Sequence, residues 1–356
     1  MQRGLRPEVI ERSRHIGASW LGHYERLHLH TVKELSSLPG LPFPEAAPRY
    51  VPRAQMAEYL SSYAAHHHIR PNFGEQAVEI VRDGTGWRTT SSTGRQFRSK
   101  AVVVATGANQ APVLPACEGQ QDFAGRILHS RDYREAAPFA GQRVLVVGMG
   151  NTGAEIALDL VEHGVRAALS VRSPVNIVHR DVLGRPTQRT AMALARLPPR
   201  WGDAAGRLLR DLTVGDLRRW GIATPAESPL RQLREHGKTP VIDVGTLARI
   251  KSGEIVVHPG IERFTPSGVR FTDGREAAFD AVIFATGYRP DLERLFPQTP
   301  LALDDRGLPR ETCGTGPLRG VYFVGFDIRQ PGGLLQTIAA QAIRVANEIA
   351  QQAAPS

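Results

Sequence analysis

The sequence predicts an α/β fold of two interleaved Rossmann-like domains, and three observations carry this prediction. Apolar runs typical of buried strands alternate along the chain with segments of helical periodicity. A glycine-rich turn, 148–153, directly follows one of these runs and opens a helix. Two further runs, 101–105 and 279–285, each lead into an Ala-Thr-Gly triplet, which hints at two related halves.

The elements follow from apolar spacing and turn residues. In the first part we predict a short strand that ends on an acid, a helix, two strands of an antiparallel meander, and a strand buried on both faces (7–12, 54–67, 77–81, 86–90 and 101–105). In the second part we predict a strand, a helix, a strand, a helical insert broken by prolines, and two buried strands (143–147, 152–163, 167–171, 180–238, 279–285 and 321–326). A closing helix carries one apolar face (335, 338, 339, 342, 343, 346 and 349).

Composition places the chain among ordinary globular proteins. Its 356 residues suffice for two domains, and 41% apolar against 22% charged residues is a usual balance. The two cysteines form no CxxC pair, so neither a disulfide framework nor a zinc site is indicated. The histidine run 66–68 is predicted to be a solvated helix end, because consecutive helical residues do not face one site, and no metal is expected. No apolar run approaches the ~20 residues of a membrane span, and we predict a cytoplasmic protein.

The glycine turn predicts a dinucleotide site. Gly148 permits a tight turn, Gly150 lets the backbone approach a pyrophosphate, and Gly153 allows close packing of helix on strand. Asn151 and Thr152 then stand at the helix N-terminus, where free N–H groups favour negative charge. The same helix carries Glu155 and Asp159, which we interpret as surface or cap contacts rather than an acid–base pair.

The residues at the end of the next strand indicate which nucleotide binds. Nineteen residues after Gly153 stands Arg172, followed by Ser173, where an NAD-binding protein would have an acid. A guanidinium suits a 2′-phosphate, so we assign NADPH, with the stretch from Ser170 to Ser173 holding the adenosine phosphate. The alternative is an arginine that is merely exposed at a strand end.

Glu11 predicts a second dinucleotide site, because it is an acid at a strand end. Its glycine loop should lie roughly 20 residues upstream, yet only ten residues precede it, and 1–4 resembles the tail of the intervening helix. We therefore expect a domain that lacks its first strand and glycine loop, through a misplaced start codon or a lost N-terminus. Weak cofactor retention and poor stability would follow. Alternatively, Glu11 is an ordinary surface acid.

Five spaced motifs resemble the flavin-containing monooxygenase family. Residues 123–133 read FxGxxxHxxxY, the identifying motif of that family, through Phe123, Gly125, His129 and Tyr133. The segment 285–288 is similar to its ATGY linker, and 17–20 to its Gly-x-x-Trp flavin loop. Two stretches, 26–33 and 237–246, are closest to the YUCCA-type branch.

The resemblance implies an FAD- and NADPH-dependent monooxygenase that acts on a small-molecule substrate and O2. NADPH would reduce FAD, and a C4a-hydroperoxyflavin would insert one oxygen atom into the substrate. The branch implies oxidative decarboxylation of an aryl 2-keto acid such as indole-3-pyruvate; oxidation of amines, sulfides or ketones is the alternative. The resemblance to the family places the FAD domain at 1–136 and 282–356, and the NADPH domain at 137–281 with the insert 180–238.

The resemblance also implies site residues. His30 would lie beside the flavin as the candidate catalytic residue, although a hydrogen-bonded core histidine is the other interpretation. The further FAD contacts would be Glu11, Ser19, Trp20, Thr31, Ala105, Thr106, Gly107, Gly325, Leu334 and Leu335. The NADPH contacts would be Gly148, Gly150, Asn151, Thr152, Gly153, Ser170, Arg172, Ser173, Ala285, Thr286 and Gly287.

Two other protein classes and a basic segment bear on this interpretation. A pyridine-nucleotide disulfide reductase would need the missing CxxC, whereas a truncated, non-catalytic NADPH-binding protein would explain the missing loop.

The net charge is +9, and residues 180–238 carry 11 Arg and 1 Lys against 6 acids. No nucleic-acid signature accompanies this charge, so we interpret it as a solvated basic surface or, alternatively, a weak membrane-surface contact.

Overall fold

A computed structural model describes residues 4–353 and, up to 352, their side chains. The predicted helix tail at 1–4 therefore lies almost entirely outside the described residues. The helices are α1 (Ala18–Leu21), α2 (Arg53–His66), α3 (Asn151–Glu162), α4 (Thr187–Leu194), α5 (Pro199–Val214), α6 (Pro229–His236), α7 (Thr246–Lys251) and α8 (Leu334–Ala353). No helix among the described residues has the length and apolar content needed to cross a membrane.

The strands are short and numerous. They are β1 (Ile10–Glu11), β2 (Asn72–Phe73), β3 (Ala77–Asp83), β4 (Gly86–Ser91), β5 (Gln96–Ser99), β6 (Val102–Val104), β7 (Ala111–Pro112), β8 (Arg126–His129), β9 (Arg143–Val147), β10 (Arg166–Ser170), β11 (Ile177–His179), β12 (Asp181–Val182), β13 (Arg185–Pro186), β14 (Val241–Asp243), β15 (Val256–His258), β16 (Ile261–Thr265), β17 (Gly268–Phe271), β18 (Glu276–Ala278), β19 (Ala281–Phe284), β20 (Tyr288–Arg289) and β21 (Val321–Phe323).

The chain forms two compact units from alternating stretches of sequence. The first unit contains the residues up to Gly22, the stretch Lys33–Ala111, and the chain from Tyr288 onward. The second contains His23–Val32 and Pro112–Gly287. The boundaries expected at 136/137 and 281/282 both fall inside the second unit.

The second unit is built on a five-stranded parallel sheet in the order β15-β10-β9-β19-β8. Strand β9 lies in its middle, and Val144, Leu145 and Val146 are fully buried because apolar side chains cover both faces. Helix α3 packs against this sheet through Ile156 and Leu160. The insert contains α4, α5 and α6, as predicted, and also the β12–β13 hairpin, which was not predicted.

The first unit contains the antiparallel meander β3-β4-β5 and two parallel pairs, β1–β2 and β6–β21. Trp87 of β4 and Phe323 of β21 share one buried cluster. The prediction that 101–105 is buried on both faces was wrong, since Val103 is 45% exposed. Among residues 4–353, β6 pairs only with β21, and so narrow a sheet leaves one of its faces partly uncovered.

The closing helix, α8, packs through a face that is rotated about the helix axis from the predicted one. Val345 is the buried residue of α8, and Ile338 and Ile349 pack beside it. These residues are spaced by seven and four positions and so form one stripe. Ala342 and Ile343, which the prediction placed on the packed face, are exposed.

Candidate functional site

The glycine turn between β9 and α3 has the geometry that its spacing predicts. Gly148 has φ +102°, and a Cβ there would lie 2.8 Å from the carbonyl oxygen of Ala285. A Cβ on Gly153 would lie 1.9 Å from the carbonyl oxygen of Gly148. Gly150 is exposed, and a Cβ there would enter open space. Packing therefore requires glycine at positions 148 and 153. At Gly150 the missing side chain leaves an open space beside the turn, which we call the cradle.

This cradle fits a dinucleotide pyrophosphate. Gly150 is the N-cap of α3, its backbone is extended, and it offers no side-chain capping group, so N–H groups of the first helical turn face the open side. The side chain of Asn151, predicted as a cofactor contact, is instead engaged by the protein. Its Nδ2 donates to the carbonyl of Pro240 (3.3 Å), and its Oδ1 accepts from the N–H of Ile242 (2.7 Å). Any contact of Asn151 with a phosphate would be made by its backbone.

The end of β10 presents the residues expected at an adenosine phosphate. Arg172 and Ser173 are both exposed at the carboxyl edge of the parallel sheet, and the stem of Arg172 lies over Gly260. Ser170, which was predicted to share this role, is buried, and its hydroxyl donates to the carbonyl of Pro259 (2.8 Å). Of the three residues predicted here, Arg172 and Ser173 are thus the ones whose side chains are exposed at this edge.

A buried polar cluster lies on the first turns of α3, and sequence reasoning missed it. Glu155 is 4% exposed, and its Oε1 lies 2.5 Å from Nε2 of His30. The hydroxyl of Tyr24 also bonds Glu155 and contacts Thr152. Burial and the nearby carboxylate raise the pKa of Tyr24 well above its usual range. The prediction that Glu155 is a surface or cap contact was therefore wrong.

The same cluster contains a polar atom that the protein does not satisfy. Nδ1 of His30 is buried and has no hydrogen-bond partner among the described residues. Because a buried unpaired nitrogen is costly, it points to a ligand or a water that completes the site. Thr31 follows in the same half-buried stretch, and the N–H of Val32 donates to Oε1 of Gln188 (2.9 Å). The stretch 23–32 is thus anchored on the second unit.

The FxGxxxHxxxY motif acts as scaffold within the second unit. His129 is buried, its Nδ1 accepts from the N–H of Arg131 (3.1 Å), and its Nε2 therefore donates to the carbonyl of Gly287 (3.2 Å). Thr286 donates its hydroxyl to the carbonyl of Val113. Ala285 lies against the glycine turn. The Ala-Thr-Gly segment is in this way held beside the dinucleotide cradle.

The other motif residues hold α3 and the edge of the sheet. Tyr133 donates its hydroxyl to Oδ2 of Asp159 (2.6 Å), and both side chains are buried. Asp159 is therefore not a surface acid, which corrects the prediction made for it. Phe123 packs on Phe264, and a Cβ on Gly125 would collide with the Phe123 ring at 2.4 Å.

The burial of His129 predicts that the folding stability of the protein depends on pH. Burial lowers the pKa of His129 from its ordinary value of 6.5, and it does the same for His258. Below about pH 6.5 the unfolded chain binds protons that the folded chain does not, so stability falls as pH falls towards the folded-state pKa. In a His129→Gln variant the decline in urea midpoint between about pH 7.5 and 5.5 should be shallower than in the parent. Identical slopes would contradict this assignment.

The first unit places the predicted FAD residues at strand and helix ends. Glu11 ends β1, and its Oε1 accepts from the N–H of Ser13 (2.8 Å), which orients a half-buried carboxylate. Gly17 has φ +76°, and a Cβ there would lie 2.9 Å from Ala57, so it sets the close approach of α1 to α2. Ser19 is exposed and Trp20 is half-buried on α1.

The remaining predicted FAD residues follow β6 and β21. Ala105 and Thr106 are exposed and Gly107 has φ +78°, as expected of a turn that leaves a strand end open. The N–H of Gly325 is already bonded to Oε1 of Gln341 (2.9 Å). Any N–H group offered to a bound flavin here would therefore come from the start of α8, at Leu334 and Leu335.

Comparisons with known proteins agree with this geometry. The family model of flavin-binding monooxygenase-like proteins matches residues 1–297. The probable indole-3-pyruvate monooxygenase YUCCA1 of Arabidopsis thaliana is 38% identical over 98% of this chain and 85% of its own length. The indole-3-pyruvate monooxygenase YUCCA1 of Oryza sativa subsp. japonica is 39% identical over 98% and 86%.

A solved structure supports the fold. The flavin-containing monooxygenase from Stenotrophomonas maltophilia superposes with a TM-score of 0.72 at 25% identity, covering 99% of this chain and 92% of that one. Such structures share the two Rossmann-like domains. FAD and NADPH are the cofactors of this class. The chain belongs to the flavin-binding monooxygenase-like family and is a flavin-dependent monooxygenase of the YUCCA type.

Proposed function

We propose that the chain catalyses oxidative decarboxylation of an aryl 2-keto acid of the indole-3-pyruvate type. One molecule each of keto acid, O2 and NADPH, with a proton, would yield the carboxylic acid shorter by one carbon, CO2, water and NADP⁺. One oxygen atom enters the new carboxyl group and the other leaves as water. The observation that carries this proposal is the similarity, over 98% of the chain, to enzymes named for that substrate.

The proposed NADPH site lies on the second unit. The first turn of α3, entered through Gly148 and Gly150, would bind the pyrophosphate through backbone N–H groups. Arg172 and Ser173 would bind the 2′-phosphate, and Ala285 to Gly287 would line the cradle. The residues whose side chains the protein already engages, Asn151 and Ser170, would position these groups.

The proposed FAD site lies on the first unit. When bound, FAD supplies the oxygen-activating chemistry, and the chain supplies binding, orientation and exclusion of water. Glu11 would accept hydrogen bonds from the adenosine ribose. The residues proposed to contact the rest of FAD are Ser19, Trp20, Ala105, Thr106, Gly107, Leu334 and Leu335, with Gly325 shaping the turn beside them.

His30 is proposed to contact a bound cofactor, together with Thr31. Glu155 accepts from Nε2 of His30, which fixes the ring, and in the neutral imidazole Nδ1 is then a hydrogen-bond acceptor. A bound amide or hydroxyl group could satisfy that nitrogen. Glu155 and Tyr24 are positioning residues in this proposal, since they would act through His30.

Product analysis tests the proposed reaction. Purified enzyme with added FAD is given NADPH, O2 and, in turn, indole-3-pyruvate, an aryl sulfide, a tertiary amine and a cyclic ketone. We expect NADPH loss to match formation of the shortened acid from the keto acid. A flavin spectrum that bleaches with NADPH and returns in air confirms a loaded enzyme. Sulfoxide, N-oxide or lactone without the shortened acid would overturn the keto-acid proposal.

Replacing Arg172 tests the 2′-phosphate contact. A charge-assisted hydrogen bond contributes about 1.5–3 kcal/mol, so Arg172→Ala should raise the KM for NADPH by about 10- to 100-fold. The KM for NADH should change little, because NADH lacks that phosphate. Arg166→Ala is the matched control, since Arg166 is exposed at the opposite end of β10. An equal rise for both nucleotides, or for both variants, would contradict the assignment.

A further inference from the structure

Helix α5 exposes an apolar stripe to solvent. Trp201 is 61% exposed, Leu208 61% and Leu212 75%. Their spacings of seven and four residues place them on one face of the helix. Leu197, just before the helix and four residues before Trp201, is also exposed. Single exposed apolar side chains are common, but a row of large ones along a helix marks an interaction surface.

Other faces of α5 pack within its own unit, so the stripe cannot turn inward. A Cβ on Gly202 would lie 2.5 Å from the carbonyl oxygen of Leu194. Arg210 is buried, and its Nη1 donates to Oδ1 of Asn176 (2.6 Å) and to the carbonyl of Glu227 (3.1 Å). These contacts fix the rotation of the helix about its axis.

The charges around the stripe are positive. The two acids of α5 are neutralised by arginines: Asp203 pairs with Arg234 (2.8 Å) and Asp211 with Arg210 (2.7 Å). Arg200 and Arg207 each precede a stripe residue and so lie along one side of the stripe; both are exposed and form no ion pair with any described residue. The surface thus combines large apolar side chains with guanidinium groups that no carboxylate neutralises.

We propose that the exposed face of α5 binds the surface of an anionic lipid bilayer. The leucines and Trp201 would enter the boundary between headgroups and acyl chains, while Arg200 and Arg207 would contact lipid phosphates. Tryptophan favours that boundary because one part of its ring is apolar and the other donates a hydrogen bond. A second copy of the chain is disfavoured, since it would bring the same arginines against each other.

A further exposed leucine in the insert, outside α5, is consistent with this proposal. Leu183, at the tip of the β12–β13 hairpin, is fully exposed and has φ +49°. A leucine in this backbone region is strained, and a glycine or asparagine would be the usual residue. A large apolar side chain held there in water therefore indicates a contact beyond the chain itself.

Vesicle binding tests the proposal. The flavin-loaded enzyme is sedimented with phosphatidylcholine vesicles and with vesicles containing about 30% phosphatidylglycerol, an amount on the order of that in anionic leaflets. We expect binding to the anionic vesicles only, weakened by high salt. The triple variant Trp201→Ser/Leu208→Ser/Leu212→Ser should lose it. Arg200→Gln/Arg207→Gln should weaken it by about 25-fold, since each surface arginine contributes about fivefold.

Three controls distinguish lipid binding from misfolding and from self-association. Leu114→Ser changes an exposed leucine outside α5 and should bind vesicles as the parent does. NADPH oxidation in solution should be unchanged in the triple variant, which shows that it folds. Equal vesicle binding by parent and triple variant, or no binding by the parent, would overturn the proposal. So would a dimer in light scattering that the triple variant abolishes, because the occupant would then be a second copy.

Discussion

Gly153→Ala is expected to destabilise the second unit by about 3 kcal/mol and to abolish NADP⁺ binding. The new Cβ would lie 1.9 Å from the carbonyl oxygen of Gly148 and 3.2 Å from Cβ of Ala285. The first obstacle is backbone, which no rotamer change can relieve, so α3 or the glycine turn must shift. Urea unfolding and a fluorescence titration with NADP⁺ measure the two effects.

Gly150→Ala is the matched control for this substitution. Its backbone is extended at φ −90°, and a Cβ there meets nothing within 4 Å. The free energy of unfolding should therefore change by less than about 0.5 kcal/mol. NADP⁺ should still bind more weakly, because the methyl group occupies the proposed pyrophosphate cradle. Unchanged unfolding of Gly153→Ala would contradict the packing argument, and unchanged NADP⁺ affinity of Gly150→Ala would contradict the placement of the pyrophosphate.

Glu155→Leu is expected to have a comparable effect on stability, about 3 kcal/mol. The substitution leaves two buried groups, the Tyr24 hydroxyl and Nε2 of His30, without their acceptor, and each unsatisfied group costs about 1–3 kcal/mol. Glu155→Gln keeps the shape and one acceptor oxygen, so a loss of about 1 kcal/mol is expected. Thermal and urea unfolding of the three proteins give the comparison. Equal stability of the Leu variant and the parent would show that the cluster contributes nothing.

His30→Gln separates the role of the cluster in binding from its role in folding. The glutamine amide can still donate to Glu155, so the free energy of unfolding should change by about 1 kcal/mol or less. If Nδ1 accepts from bound cofactor, NADP⁺ affinity or the rate of flavin reduction should fall about tenfold at unchanged stability. A variant with parental binding and reduction rates would make His30 a core histidine, the interpretation that its sequence context left open.

The glycine turn could be predicted because all of its determinants lie within a few consecutive residues. A buried strand, three spaced glycines and a helix start specify a local backbone path, and the structure has that path at Gly148, Gly150 and Gly153. The position of Arg172 at the end of the next strand could be predicted for a related reason. That strand end lies a nearly constant distance along the chain from the glycine turn.

The polar cluster on α3 could not be predicted in the same way. His30 and Glu155 are 125 residues apart, and nothing local to either one indicates the other. The available signal was that Glu155 and Asp159 are spaced by four residues and that the other residues of 153–161 are apolar or glycine. Two acids on one face of a buried helix require partners, and that requirement argued against a surface role.

The class of fold, the dinucleotide turn and the family could be read from the sequence, because they depend on short-range patterns of apolar residues and glycines. Which polar side chains are available to a ligand depends on the folded chain. Asn151 and Ser170 are engaged by Pro240 and Pro259, whereas Arg172 is exposed and Nδ1 of His30 has no partner among the described residues. The physical reason is that hydrogen-bond satisfaction depends on partners distant in sequence, which only the folded chain brings together.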